Sequence, residues 1–208
     1  MNYTNDLLTI SSHSLRYIAY NQFLSQTPFQ FNRVLHTDSF DVFFQADPFT
    51  PDIDPNYLYF VMEQPLIMNS TWNSGWLVRA YNESVSKSLG KYLVSCSGTL
   101  IGGMNQFQIY LKTLLGHKPF WLNGRHSLDQ AYHNYLLHTK AFENNGIHPK
   151  YLGCNSTFLT MHYCSRGKFK IQNDRFLGPD GTTIPSVVHQ YNRYGGGPQL
   201  INRLCGGK

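Results

Sequence analysis

At 208 residues, with 41% hydrophobic, 15% aromatic and only 14% charged side chains, the chain has the length of one domain and enough apolar mass for a packed core, which excludes an intrinsically disordered protein. Scattered glycines, prolines and aromatics without a period exclude coiled coil, collagen and helical repeats. The net charge of +5 is not gathered into a stripe; even the densest basic stretch, Arg166, Lys168, Lys170 and Arg175, is interrupted, which excludes a nucleic-acid footprint and fits a compact anion better.

Met1 to Ser14 is polar and reads as no signal peptide. Ser11 and Ser12 are caps for a helix to about Ser25, with Leu15, Ile18, Tyr20 and Phe23 as its apolar side. Arg33 to Thr37 is a short buried strand ending at Asp38, Val42 to Phe44 resumes the extended pattern, and Pro48 closes it. Tyr57 to Met62 is a second buried strand and the longest apolar run, far short of the ~18 residues of a membrane span. Trp72 to Val85 reads as a helix. Tyr92 to Val94 is a strand running into Ser97-Gly98-Thr99-Leu100-Ile101-Gly102-Gly103, and Asn105 caps a helix to about Leu115.

Ser127 to Ala141 is the strongest helix, with Leu128, Ala131, Tyr132, Tyr135, Leu136 and Thr139 at helical spacing and Gly146 after its stop. Short strands follow near Tyr151, Phe158 to His162, Phe169 to Ile171 and Ser186 to His189, with a turn at Asp180-Gly181. Gly195, Gly196, Gly197, Pro198, Gly206 and Gly207 mark a loose C-terminal tail, residues 195–208, behind a single domain of residues 1–194. Strands alternating with helices imply an α/β sheet covered on both faces.

Asp38 and Asp41 leave the carboxyl end of a hydrophobic strand, where open α/β sheets bind ligands. Two close carboxylates repel unless a cation lies between them, and a hard divalent ion uses such a pair together with substrate phosphates. The plain alternative is a turn, with Asp38 as a cap and Asp41 in solvent. His189 at the end of a buried strand pattern is either a core histidine or a ligand, and an imidazole favours Mn²⁺ over Mg²⁺. Asp129 opens a helix, where an acid also serves the helix dipole. Ser97-Gly98 and Gly102-Gly103 either let a ligand approach the backbone or turn the strand end. Trp72, Trp76 and Trp121 are platforms for a sugar ring or, for at least two of them, core.

The run Thr37-Asp38-Ser39-Phe40-Asp41-Val42-Phe43-Phe44-Gln45-Ala46-Asp47-Pro48-Phe49 resembles the signature of GT-A-fold glycosyltransferases, the nucleotide-diphospho-sugar transferase superfamily. Glu63 at a strand end, Ser95 to Gly103, Asp129-Gln130-Ala131-Tyr132-His133-Asn134 and Val187 to Arg193 resemble that family's later elements in the same order, over about residues 15–194. Two features depart from the pattern. The acids are spaced Asp-x-x-Asp rather than Asp-x-Asp, with Phe40 where some similar sequences carry Arg. Most of the amino-terminal strand-helix-strand half that holds the base is missing ahead of Asp38.

The resemblance implies a GT-A-like mixed sheet flanked by helices and a metal-dependent transferase. Mn²⁺ or Mg²⁺ would be held by Asp38, Asp41 and His189. Ser97, Gly98, Thr99, Glu63 and Arg193 would bind substrate, and Asp129 and Gln130 would act at the sugar. The donor would be a nucleotide-diphosphate sugar and the acceptor a glycan or glycoprotein, docking from the Glu63 to Trp76 side. A non-catalytic nucleotide-sugar or carbohydrate-binding remnant and a metal-dependent phosphohydrolase are the rival readings. By resemblance the compartment is the Golgi or secretory lumen, with a membrane reached only through an anchor absent from this chain. The sequons at Asn2, Asn69, Asn82 and Asn155 lean the same way. Cys96, Cys154, Cys164 and Cys205 show no zinc-type spacing and permit two disulfides.

Overall fold

The computed structural model describes residues 10–122, 127–164, 170–193 and 196–206. The sequon at Asn2, the basic residues Arg166 and Lys168, and Phe169, Gly195 and Gly207 lie outside the described residues. The fold is mixed α/β, with two mixed sheets flanked by helices. In chain order, α1 (Ser12–Gln26), β1 (Arg33–Thr37) and β2 (Val42–Phe44) lead to β3 (Leu58–Leu66). Helices α2 (Thr71–Ala80) and α3 (Glu83–Leu89) precede β4 (Leu93–Gly103), α4 (Met104–Gly116), α5 (Lys118–Leu122), α6 (Asp129–His138) and α7 (Ala141–Asn144). The remainder is β5 (Pro149–Leu152), β6 (Phe158–Thr160), α8 (Met161–Cys164), β7 (Lys170–Gln172), β8 (Arg175–Leu177), β9 (Val187–His189) and α9 (Gly197–Leu204).

The first sheet has the order β1-β4-β3-β5, antiparallel except for the β3–β5 pair; the second has the order β2-β9-β6, antiparallel at β2–β9 and parallel at β6–β9. Strand alternation sorts the side chains into layers. Leu58 and Phe60 of β3 point to a core shared with Leu77, Leu111 and Leu136 of the helices, whereas Tyr59 and Val61 point to Phe158 and Val187 of the second sheet. The other face of that sheet, Leu159 and Val188, packs on Met161, Phe176 and Leu200. β4, the inner strand between β1 and β3, is buried from Val94 to Gly103. β7 and β8 form a hairpin of their own.

Several local readings shift. The apolar side read for α1 is only partly inward: buried Tyr17 anchors the helix, while Leu15 (38% exposed) and Phe23 (58%) face outward. The helix read over Trp72 to Val85 is two helices, because Asn82 accepts from the Val85 N–H and restarts the chain as α3. Gly103, not Asn105, precedes the first turn of α4. The Gly102-Gly103 pair closes β4 and makes room for protein: a Cβ on Gly103 would collide with the Pro55 carbonyl. The long helix read from Ser127 is shorter, Asp129–His138, and Lys140 with positive φ separates it from α7. The strand read from Phe158 yields to α8 after Thr160. The tail read as loose carries α9, with Pro198 in its first turn and Leu200 buried. Cys154 and Cys164 form a disulfide, and Cys96 and Cys205 are free. Among the described residues no helix is long and apolar enough to cross a membrane.

Candidate functional site

The connection between the two sheets builds the site. β1 pairs with β4 up to Thr37↔Thr99, and the Asp38 N–H continues the ladder to the Gly98 carbonyl. The chain then leaves the first sheet and enters the second as β2, where Val42 lies opposite His189. Asp41 precedes that pair, and its carbonyl accepts from the Gln190 N–H at 2.7 Å. The two carboxylates therefore sit on the crossing between sheets, and the imidazole closes the inner strand of the second.

Asp38, Asp41 and His189 each offer one ligand atom, and these atoms lie within 4.8 Å of one another. His189 Nε2 is 3.1 Å from Asp38 Oδ2 and 3.6 Å from Asp41 Oδ1, while its Nδ1 faces the Cys96 sulfur at 3.6 Å. The ring is thus oriented by β4 with one nitrogen left for the acids. Gly98 is the cradle for Asp38, since a Cβ there would overlap its carboxylate. Two carboxylates and an imidazole form a group that could hold a divalent metal ion.

Without a bound ion these groups neutralise one another. Burial opposes charge on His189, but Cys96 and Asp38 outweigh it and push the imidazole up to about 10. Burial likewise opposes charge on Asp38, yet His189 and Arg16 hold its carboxyl well below the usual range. His36, two residues before, is buried, with Nε2 2.9 Å from the Ser97 carbonyl, and burial pushes it down to about 4.

Arg16 of α1 is a participant that the sequence motifs do not contain. One arm of its guanidinium pairs with Asp38 and the other donates to Asp129 Oδ2 at 2.8 Å. Asp129 Oδ2 also accepts from Tyr17 Oη and Ser97 Oγ, each at 3.2 Å. Gln130 accepts from the Ser97 N–H at 3.3 Å and donates to Asn73 at 2.8 Å, so it bridges β4 and α2. Asn134 pairs with both backbone groups of Ser95 at 2.8 Å, and His133 bonds Tyr110 and Ser95. The buried face of α6 is thereby fastened to β4.

A cavity of about 180 Å³ holds Arg16, Asp38, Ser97, Gly98, Asp129, Gln130 and His189. Thr99 is fully buried and does not line it. Glu63 and Arg193 line a neighbouring cavity of about 210 Å³ with Trp72 and Trp76. Burial pushes the Glu63 carboxyl up to about 8. Trp76 and Trp121 pack partly against the core, whereas Trp72 is 64% exposed. No protein-family model matches the chain, and no curated protein matches it.

Proposed function

We propose that the chain is a metal-dependent glycosyltransferase domain of GT-A type, transferring a sugar from a nucleotide-diphosphate donor to a glycan or glycoprotein acceptor. The observation that carries this reading is the convergence of Asp38, Asp41 and His189 from two sheets onto one point beside a cavity. Two acids and an imidazole on one crossing make a donor set that fits Mn²⁺ or Mg²⁺. A bound ion would supply positive charge to stabilise a departing diphosphate. Asp38, Asp41 and His189 would hold it, with Gly98 leaving room for Asp38. Ser97 and the Gly98 backbone line the same cavity on the side where the donor sugar would lie. Asp129, fixed by Arg16, Tyr17 and Ser97, orients this wall. A lumenal compartment belongs to the same proposal, and the Cys154–Cys164 disulfide is of the kind that oxidising compartments preserve.

A non-catalytic binding remnant is the second reading. It is favoured by Arg16, which already neutralises Asp38 and Asp129. One experiment separates the two: Mn²⁺ binding followed by electron paramagnetic resonance, then hydrolysis of a panel of nucleotide sugars. The transferase reading expects Mn²⁺ binding and slow donor hydrolysis, both lost in Asp38→Asn while the chain stays folded, with a lowered melt because the ion pairs to Arg16 and His189 are weakened. Mn²⁺ binding without hydrolysis selects the remnant. Unchanged Mn²⁺ binding in Asp38→Asn removes the metal centre altogether.

A further inference from the structure

β1 stands at the end of the first sheet, so one of its two edges faces no strand. Antiparallel ladders bond alternate residues. The Asp38 N–H reaches the Gly98 carbonyl and the Met104 N–H reaches the Asn32 carbonyl, so the even-numbered residues of this stretch are the ones that bond β4. Arg33, Leu35 and Thr37 therefore turn their N–H and C=O groups to the open edge, where none has a partner among the described residues. Such an edge pairs with other strands unless charge, proline or a bulge blunts it. The charge in β1 does not blunt it, because the Arg33 guanidinium is tied to the Phe49 and Thr50 carbonyls at 2.9 Å each.

An aromatic margin flanks the edge. A cavity of about 630 Å³ runs along Arg33 to Thr37 and is walled by Tyr20, Phe23, Leu24, Phe31 and Phe49. A second, of about 640 Å³, shares Leu24, Phe31 and Met104 with it and reaches Phe29. Phe23 is 58% exposed, Phe29 70% and Phe31 42%, which leaves about 300 Å² of their side chains in water. That is more than a third of the roughly 800 Å² per partner that a stable dimer buries, and the strand edge and cavity walls lie beside it to supply the rest.

Charge and symmetry select the occupant. Among the described residues no acid lines either cavity, and their one cation, Arg33, is already engaged. A strongly charged partner gains nothing there, whereas an uncharged aromatic surface does, and the chain itself carries one. Antiparallel pairing of a strand with its own copy is a two-fold operation, so each margin covers the other. With Leu35 on the axis, Arg33 of one copy lies opposite Thr37 of the second, and about six main-chain hydrogen bonds form. We propose that this edge is a homodimer interface, in which β1 of two copies pairs antiparallel into one continuous sheet and the phenylalanine margins bury each other. The interface rests neither on a metal nor on the function proposed above.

The test is analytical ultracentrifugation of the full chain in EDTA. An interface of this modest size has an expected Kd of roughly 10 µM, so the chain should be mostly monomer at about 1 µM and mostly dimer at about 200 µM. Hydrogen exchange at the two concentrations should slow in the amides of residues 33–37 on dimerisation and stay unchanged in β5 at the opposite edge of the sheet. Phe29→Asp places a charge in the margin and should weaken dimerisation at least tenfold. The melt of the dilute monomer should not change, because the ring is mostly exposed. If Phe29→Asp fails to fold, the exchange result on the wild-type chain decides alone. A chain still monomeric at about 200 µM overturns the interface. So do a dimer that leaves the β1 amides unprotected, a dimer unmoved by Phe29→Asp, a covalent pair through the exposed Cys205, and growth beyond the dimer, which a two-fold contact closes off.

Discussion

Arg16 decides the charge state of the candidate centre. Its guanidinium is only 17% exposed and spans the carboxylates of Asp38, just past β1, and Asp129, at the start of α6. Removing it leaves Asp38 with His189 as its counter-charge and Asp129 with the hydroxyls of Tyr17 and Ser97. Breaking a buried ion pair by deleting one partner costs about 3–5 kcal/mol, and the partial exposure of Asp38 reduces this to about 2–3 kcal/mol for Arg16→Ala. The same deletion frees Asp38 for a cation, so Mn²⁺ should restore part of the loss. Urea unfolding of Arg16→Ala in EDTA and in Mn²⁺ checks both statements; equal stability in the two conditions would deny that Asp38 ligates. At this scale the acids were legible in the sequence, because two carboxylates three apart after an apolar strand form a local pattern. Arg16 was not, since its partners lie 22 and 113 residues away and nothing around it in α1 marks it. Cys96, which orients His189 from 93 residues away, was hidden for the same reason.

At the scale of elements, the strands were legible wherever β-branched and aromatic residues ran together, as in Arg33–Thr37 and Val187–His189. Helix ends were not, because they depend on which polar side chain turns back onto the backbone. The break between α2 and α3 is such a case. Tyr81 leaves helical geometry and the Asn82 side chain accepts from the Val85 N–H at 3.0 Å, so a single asparagine starts a new helix. Ser86 of α3 then bonds the Ser74 carbonyl of α2, which sets α3 against the helix carrying both tryptophans. Asn82→Ala should cost about 1 kcal/mol in urea unfolding, and Asn82→Asp, which keeps a capping oxygen, should recover most of it. A neutral Asn82→Ala would mean that packing alone fixes this corner.

For the whole molecule, the site exists only when the two sheets dock, since Asp38 and His189 are 151 residues apart. The resemblance in the motifs conveyed their order, but not the layer between the sheets, where Tyr59, Val61, Ile101, Phe158 and Val187 close the gap. Nor did it disclose that His133 is an internal post rather than a surface polar residue. His133 is fully buried, with Nδ1 3.0 Å from Tyr110 Oη and Nε2 2.8 Å from Ser95 Oγ, joining α4, α6 and β4. Burial above all pushes it down to about 3. The unfolded chain therefore takes up a proton near pH 6.5 while the folded chain does not. Above pH 6.5 neither state carries this proton and stability is unaffected; as pH falls from 6.5 toward 3, this one group removes about 1.4 kcal/mol per pH unit. Urea unfolding at pH 7, 6 and 5 should show a decline, with added loss from His36 and His138, which burial pushes down to about 4, and an opposing gain from Glu63, which burial pushes up to about 8. His133→Gln should flatten the slope by about one proton's worth. A slope identical in wild type and His133→Gln would mean that His133 protonates in the folded state, and that the post joining α6 to the site-bearing strand opens before the molecule unfolds.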